Sequence, residues 1–246
     1  MVHIVRQASD SPTVGDDAMQ AFRDQWQVYQ KLVNNNYLSH REVRDILHRQ
    51  LAETITRPFR FLDLACGDAS MTVAALKETS VTEYHGIDLS APALAMAKKT
   101  VASLSCRARL EQHDFVAAIR ERTDPADVVY IGLSLHHLQT AEDKRRFMRA
   151  VRSAIGDNGL FLIFEPASLE GETRPAFLER YEAFINAVWT AFTPTEKDIL
   201  WTHVRTCDFP EQPSIWTQLG HDAGFSEVQD LFTDAPQLLK VFSYRP

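Results

Sequence analysis

A chain of 246 residues with 45% hydrophobic and 24% charged residues has the composition of a folded globular protein; disorder and fibrous structure are excluded, and one core with attachments is expected. Its formal charge of −7, with Lys and Arg scattered, offers no basic field to a nucleic acid or an anionic membrane surface. No apolar run nears the roughly 20 residues of a membrane helix, and the opening MVHIVRQASDSP lacks the apolar centre of a secretory signal, so a cytoplasmic protein is expected.

The three cysteines, Cys66, Cys106 and Cys207, are far apart and match neither a disulfide framework nor a zinc-ligand spacing, so no metal is expected. After a polar start with Pro12 and Gly15, Phe22, Trp26, Tyr29 and Val33 recur on one face of an amphipathic helix. Ser39 with Glu42 reads as a capping box, followed by Val43, Ile46, Leu47 and Leu51 at helical spacing until Pro58. From Phe59 the pattern changes: FRFLDLA, EYHGIDL, CRARLEQHD and DVVYIGL are short apolar runs separated by helical stretches, the signature of a parallel sheet. Thr140 with Asp143 caps a helix carrying Phe147, Val151 and Ile155, and Gly156-Asp157-Asn158-Gly159 turns the chain into a fifth strand, LFLIFE.

Between Pro166 and about Gly224 the strand signal stops. Phe177, Tyr181, Phe184, Ile185, Val188 and Phe192 mark an aromatic helix, Thr193, Pro194 and Glu196 start another, and Ser214 a third. This stretch reads as a lid. FSEVQDLF and QLLKVFSY are two closing strands. The aromatic stripes are expected to pack into the core, with some rings turned towards a bound molecule.

The segment from Phe61 to Ser70 runs from a strand through a small-residue turn into a helix, and small residues let a ligand approach the backbone. In an open α/β sheet that turn borders the ligand crevice. Asp88 ends the second strand 21 residues after Gly67, where a carboxylate can accept both hydroxyl hydrogens of a ribose; equally, an Asp there can begin the turn before Ser90.

Taken together, LDLACGDA, GIDLS, QHDF, DVVYIGLSLHHL, the GDNG turn before LFLIFEP, and HDAGF resemble the successive motifs of class I S-adenosylmethionine-dependent methyltransferases, small-molecule branch, over about residues 59 to 246. The resemblance implies a doubly wound α/β fold: a mostly parallel seven-stranded sheet with an antiparallel last strand. A helical extension over residues 1–57 would precede a domain over 58–246, with the lid inserted at about 166–224. It further implies that the turn with Asp63, Ala65, Cys66 and Gly67 faces the methionine part of the cofactor, and that Asp88, beside Leu89, holds the ribose. Asp114 and Phe115 would meet the adenine, and Gly132, Leu133 and Ser134 would line the pocket.

Ala65 and Ala69 depart from the glycine-rich pattern and leave Gly67 as the only glycine of the turn, which weakens the case for NAD bound through a three-glycine fingerprint. His136 and His137 follow the fourth strand, where a neutral imidazole can take a proton from a nucleophile, line the pocket or cap the next helix. Glu165 ends the fifth strand and is expected to open into the crevice and orient a substrate amine or hydroxyl. His203, Asp208, His40 and Tyr37 lie in segments able to close over the site. The expected reaction is in-line transfer of a methyl group to an oxygen, nitrogen, sulfur or carbon of a small molecule, giving S-adenosylhomocysteine, by a monomer or homodimer. An NAD-dependent oxidoreductase and a non-catalytic cofactor-binding partner subunit are the alternatives.

Overall fold

The computed structural model describes residues 26–246; the expected helix positions before Trp26, Phe22 among them, lie outside the described residues. Seven strands, β1 (Phe59–Leu64), β2 (Val81–Asp88), β3 (Arg107–Gln112), β4 (Ala126–Gly132), β5 (Ile155–Pro166), β6 (Glu227–Thr233) and β7 (Leu239–Arg245), form one sheet in the order β3-β2-β1-β4-β5-β7-β6. β7 runs antiparallel to both β5 and β6, while β1 to β5 pair in parallel. The order reverses between β1 and β4, which opens a crevice beyond their carboxyl ends.

The strands at the centre read as unbroken apolar runs because helices cover both faces. Leu160 to Phe164 are all 0% exposed, and period-two alternation sends Leu160, Leu162 and Phe164 to one face and Phe161 and Ile163 to the other. On the first face lie α1 (Trp26–Asn34), α2 (His40–Thr54), α3 (Ser70–Ala75) and α4 (Ala91–Val101), together with α7 (Arg174–Val188) and α8 (Pro194–Cys207) of the lid. The second face packs α5 (Phe115–Glu121), α6 (Ala141–Ala154) and α9 (Pro213–Asp222). Among the described residues no helix is long and apolar enough to cross a membrane.

Two caps match the sequence reading: Thr140 Oγ1 accepts from the Asp143 amide at 3.1 Å, and Thr193 with Glu196 forms a reciprocal capping box. Ser39 does not. Its backbone is left-handed, φ 53°, a conformation unlike the extended one that aims a capping side chain at the helix amides. Asn36 takes its place, accepting from the Arg41 amide at 2.9 Å and donating to Glu42 Oε2 at 2.8 Å. Ser214 does not open the third lid helix either; α9 begins at Pro213, and Ser214 binds the Glu170 carboxylate through both its amide and its hydroxyl. The GDNG segment lies inside the bounds of β5 as an irregularity, because Ala126 pairs with Ile155 while Val128 pairs with Leu160.

Candidate active site

Three loops leave the carboxyl ends of β1, β2 and β3 and are stitched to one another. The Cys66 amide donates to Ile87 O at 3.0 Å and the Gly67 amide to Asp88 Oδ2 at 2.8 Å. Asp88 Oδ1 accepts from the Ser90 amide at 2.7 Å, and the His113 amide donates to Asp88 O at 3.1 Å. Asp88 therefore begins its turn and buttresses the β1 turn at once. Asp114 caps α5, accepting from the Ala117 amide at 2.8 Å, and the Phe115 ring packs edge-on against Phe147 at 5.5 Å. Leu89 is 39% exposed.

The β1 turn keeps a glycine-like backbone without the glycines: Ala65, Gly67 and Ala69 all have positive φ, at 54°, 56° and 59°. The alternation folds the turn into a shallow cradle beside a cavity open to solvent. Asp63, Asp68, Tyr29, His40, Tyr130, Leu133 and Phe164 complete its walls. Thr72 Oγ1 and Tyr84 Oη both donate to Asp63 Oδ2 at 2.6 Å, whereas Asp63 Oδ1 is buried and receives no hydrogen bond. Burial outweighs these two bonds and pushes the Asp63 carboxyl up to about 7. Burial likewise raises the Cys66 thiol, whose sulfur packs over Gly86 as a filler. Asp68 binds Gln30 Nε2 at 3.0 Å and so ties α1 to the turn.

Glu165 departs from the expectation that it opens into the crevice. It is 0% exposed, and its two oxygens accept from the amides of Ser134, Leu135 and His136 and from His136 Nδ1, the last at 2.6 Å. With those acceptor positions filled, it holds the β4 loop in place. Leu133, at φ 51°, makes the reversal that points those amides at it. Gly132 is glycine for room: a Cβ there would lie 2.3 Å from Tyr130 Oη.

On the far side of Leu133 lies a second cavity, mostly apolar. Tyr29 and Leu133 border both cavities. Tyr181, Trp189, Leu200 and Val204 of the lid form its aromatic and aliphatic wall, and His136, His137, His203 and Asp208 its polar end. Asp208 Oδ1 stands 3.4 Å from His136 Nε2, 3.6 Å from His137 Nδ1 and 3.8 Å from His203 Nε2. Burial alone lowers the His136 imidazole, but the carboxylates of Asp208 and Glu165 prevail and raise it to about 9. His137 is driven well below its usual value by burial and then by the charge of His136, and its Nδ1 lies 3.1 Å from Cys207 O. Tyr37 stacks on Trp189 and accepts from the Ala191 amide at 3.0 Å, which joins the amino-terminal helices to the lid.

Residues 62–161 match the family model described as a methyltransferase domain. The match spans 100 of the 246 residues. The strand order of the whole chain is that of the class I methyltransferase fold. The plantazolicin methyltransferase BpumL, solved with a triazolic desmethylPZN analogue and SAH, superposes with a TM-score of 0.67 at 14% identity, over 94% of this chain and 95% of that one. An S-adenosylmethionine-dependent methyltransferase from Clostridium acetobutylicum gives 0.59 at 12% identity, over 91% and 98%. SibL, an S-adenosylmethionine-dependent methyltransferase in its apo form, gives 0.55 at 21% over 82% of this chain, which spans only 54% of SibL. At such identities the likeness is one of fold. No curated protein sequence matches the chain.

The matched stretch contributes the β1 turn, Asp88, Asp114 and the two histidines after β4. Tyr29, the aromatic wall, His203 and Asp208 come from outside it, and the polar end of the second cavity is complete only where the two parts meet. Sequence spacing missed that meeting, since 71 positions separate His137 from Asp208 (208 minus 137) and their approach depends on how the lid packs. In the turn, Ala65 and Ala69 hold left-handed backbone that costs an alanine more than a glycine. Ala65→Gly is expected to raise unfolding stability by about 1 kcal/mol, measured by urea melts; a loss of stability would show that the alanine methyl packs better than the strain costs.

Proposed function

We propose that the chain transfers a methyl group from S-adenosylmethionine to a small molecule held in the second cavity. The observation that carries this reading is the pair of adjoining cavities, one walled by the β1 turn and the other by the aromatic lid, meeting at Tyr29 and Leu133. The first fits a cationic amino-acid group. Asp63 Oδ1, buried and without a donor, is an acceptor waiting for an ammonium, and Ala65, Gly67 and Ala69 bring small residues and bare backbone to the same wall. Asp88, Leu89, Asp114 and Phe115 follow along the carboxyl edge of the sheet and would hold the nucleoside.

S-adenosylmethionine supplies an already activated methyl group on a sulfonium. This chain's residues have three tasks: hold the amino-acid end at Asp63, exclude water with the lid, and present the acceptor atom in line across Leu133. Positioning of this kind contributes up to roughly 7–11 kcal/mol in favourable cases. With the donor held at Asp63 and the β1 turn, its methyl group would pass to the acceptor's lone pair as the carbon–sulfur bond breaks, and the acceptor would be left with a proton to lose. His136 and Glu165 position the polar end, since Glu165 has its lone pairs engaged and binds His136 at Nδ1. His137 and His203 meet the acceptor's polar group. The wall of Tyr29, Tyr181 and Trp189 suits an acceptor with an apolar, ring-bearing body. The nicotinamide alternative has no comparable support, because the matched family is a methyltransferase domain and the turn carries a single glycine.

A metabolite extract incubated with the chain and donor labelled in its methyl group is expected to yield a product heavier by one labelled methyl in mass spectrometry. Tight binding of donor with no labelled product would favour the non-catalytic subunit. Titration of Asp63 gives a further outcome. Because its carboxyl is raised to about 7 before the ligand binds, an ammonium must displace a proton at lower pH. Donor affinity in calorimetry is expected to fall about tenfold per pH unit below about pH 6.5, and Asp63→Asn to be weaker at pH 8 and flat across the range. A pH-independent affinity for the unaltered chain would contradict this assignment.

A further inference from the structure

The polar end of the second cavity has a geometry that hydrogen bonding alone does not account for. Asp208 Oδ1 is buried, and among the described residues no group donates a hydrogen bond to it, although three imidazole nitrogens surround it at 3.4, 3.6 and 3.8 Å. Those separations are near the roughly 3.4 Å between adjacent donor atoms when nitrogen or oxygen ligands sit about 2.1 Å from a tetrahedral ion. One ligand atom each from His136, His137 and Asp208 lies within 4.8 Å of the others. We propose that His136, His137 and Asp208 bind a divalent transition-metal ion.

The surroundings are those a metal site needs. His136 gives Nδ1 to the Glu165 carboxylate at 2.6 Å and turns Nε2 towards Asp208, the carboxylate–histidine–metal arrangement that fixes ring and tautomer. Glu165 and Asp208 are two carboxylates with under a tenth of their surface exposed, one on either side of the His136 ring. Asp208 is held from both sides: its amide donates to Val204 O at 3.1 Å, its carbonyl accepts from Arg174 Nε at 2.7 Å, and the next amide, of Phe209, donates to His136 O at 2.9 Å. A donor set of two imidazoles and one carboxylate selects zinc, iron or cobalt over magnesium and calcium. Positions left open on the ion give onto the cavity walled by Tyr29, Tyr181 and Trp189. The acceptor class that follows, resting on the methyl-transfer reading, is a small apolar molecule whose hydroxyl or carboxylate oxygen binds the ion and loses its proton more readily there.

The test needs no methyl donor. The full chain, stripped with a chelator and desalted, is titrated with Zn²⁺ against a chromogenic competitor and with Co²⁺ by visible absorption. The expected result is one equivalent of Zn²⁺ per chain, undisturbed by excess Mg²⁺, with tetrahedral Co²⁺ bands. Asp208→Asn is expected to weaken it at least tenfold while His113→Gln, at an exposed loop, leaves it unchanged; circular dichroism checks folding, and His137→Gln replaces Asp208→Asn if that variant unfolds. No saturable uptake, equal competition by Mg²⁺, or unaltered affinity in the cluster variant would overturn the proposal. Such a failure would leave methyl transfer standing, and a chain that binds Zn²⁺ but transfers no methyl would separate the two claims the other way.

Discussion

The buried carboxylate of Glu165 is the constraint on which the site depends. At the end of β5 it gathers three successive amides of the β4 loop and the Nδ1 of His136, so that the end of the sheet, the loop and the histidine pair form one rigid corner. A carboxylate with 0% exposure is tolerated only because its acceptor positions are filled. Removing one partner of such a buried pair costs about 3–5 kcal/mol. Through His136 the corner reaches Asp208 at the end of α8, so the lid is fastened to the sheet by charge as well as by apolar packing.

Further ties reinforce that link. Lys144 of α6, with its side chain fully buried, donates to Phe209 O and to Glu211 and pins the segment just after Asp208. Arg174 at the start of α7 bonds the carbonyls of Asp208 and Arg205. On the opposite side Tyr37 and Asp68 connect the amino-terminal helices to the lid and to the β1 turn. The second cavity is thus enclosed by three separate stretches of chain, while the first is built almost wholly from the carboxyl edge of the sheet and the helices beside it.

What the sequence made legible follows from the range of the interactions. Short apolar runs and their alternation with helices predicted seven strands, and capping chemistry placed Thr140 and Thr193, because those patterns are set by residues within a few positions. Ser39 looked like a cap because only identity was visible; its left-handed backbone is imposed by the turn at Asn36. Glu165 had the right position for the crevice but the wrong direction, since period two along β5 does not reveal that the neighbouring loop supplies amides to it. His203 and Asp208 could be named only as lid residues, and their meeting with His136 and His137 is a tertiary fact with no local signature. Conversely, Ala65 and Ala69 concealed a backbone that the glycine pattern would have announced.

The central claim is that the β1 turn and the loop after β2 form the cofactor cradle. Hydrogen exchange with and without S-adenosylhomocysteine measures it most directly. The amides of residues 65–70 and 88–90 are expected to slow markedly while edge strand β6, Glu227–Thr233, is unaffected. Unchanged exchange at 65–70, with protection elsewhere, would contradict the account.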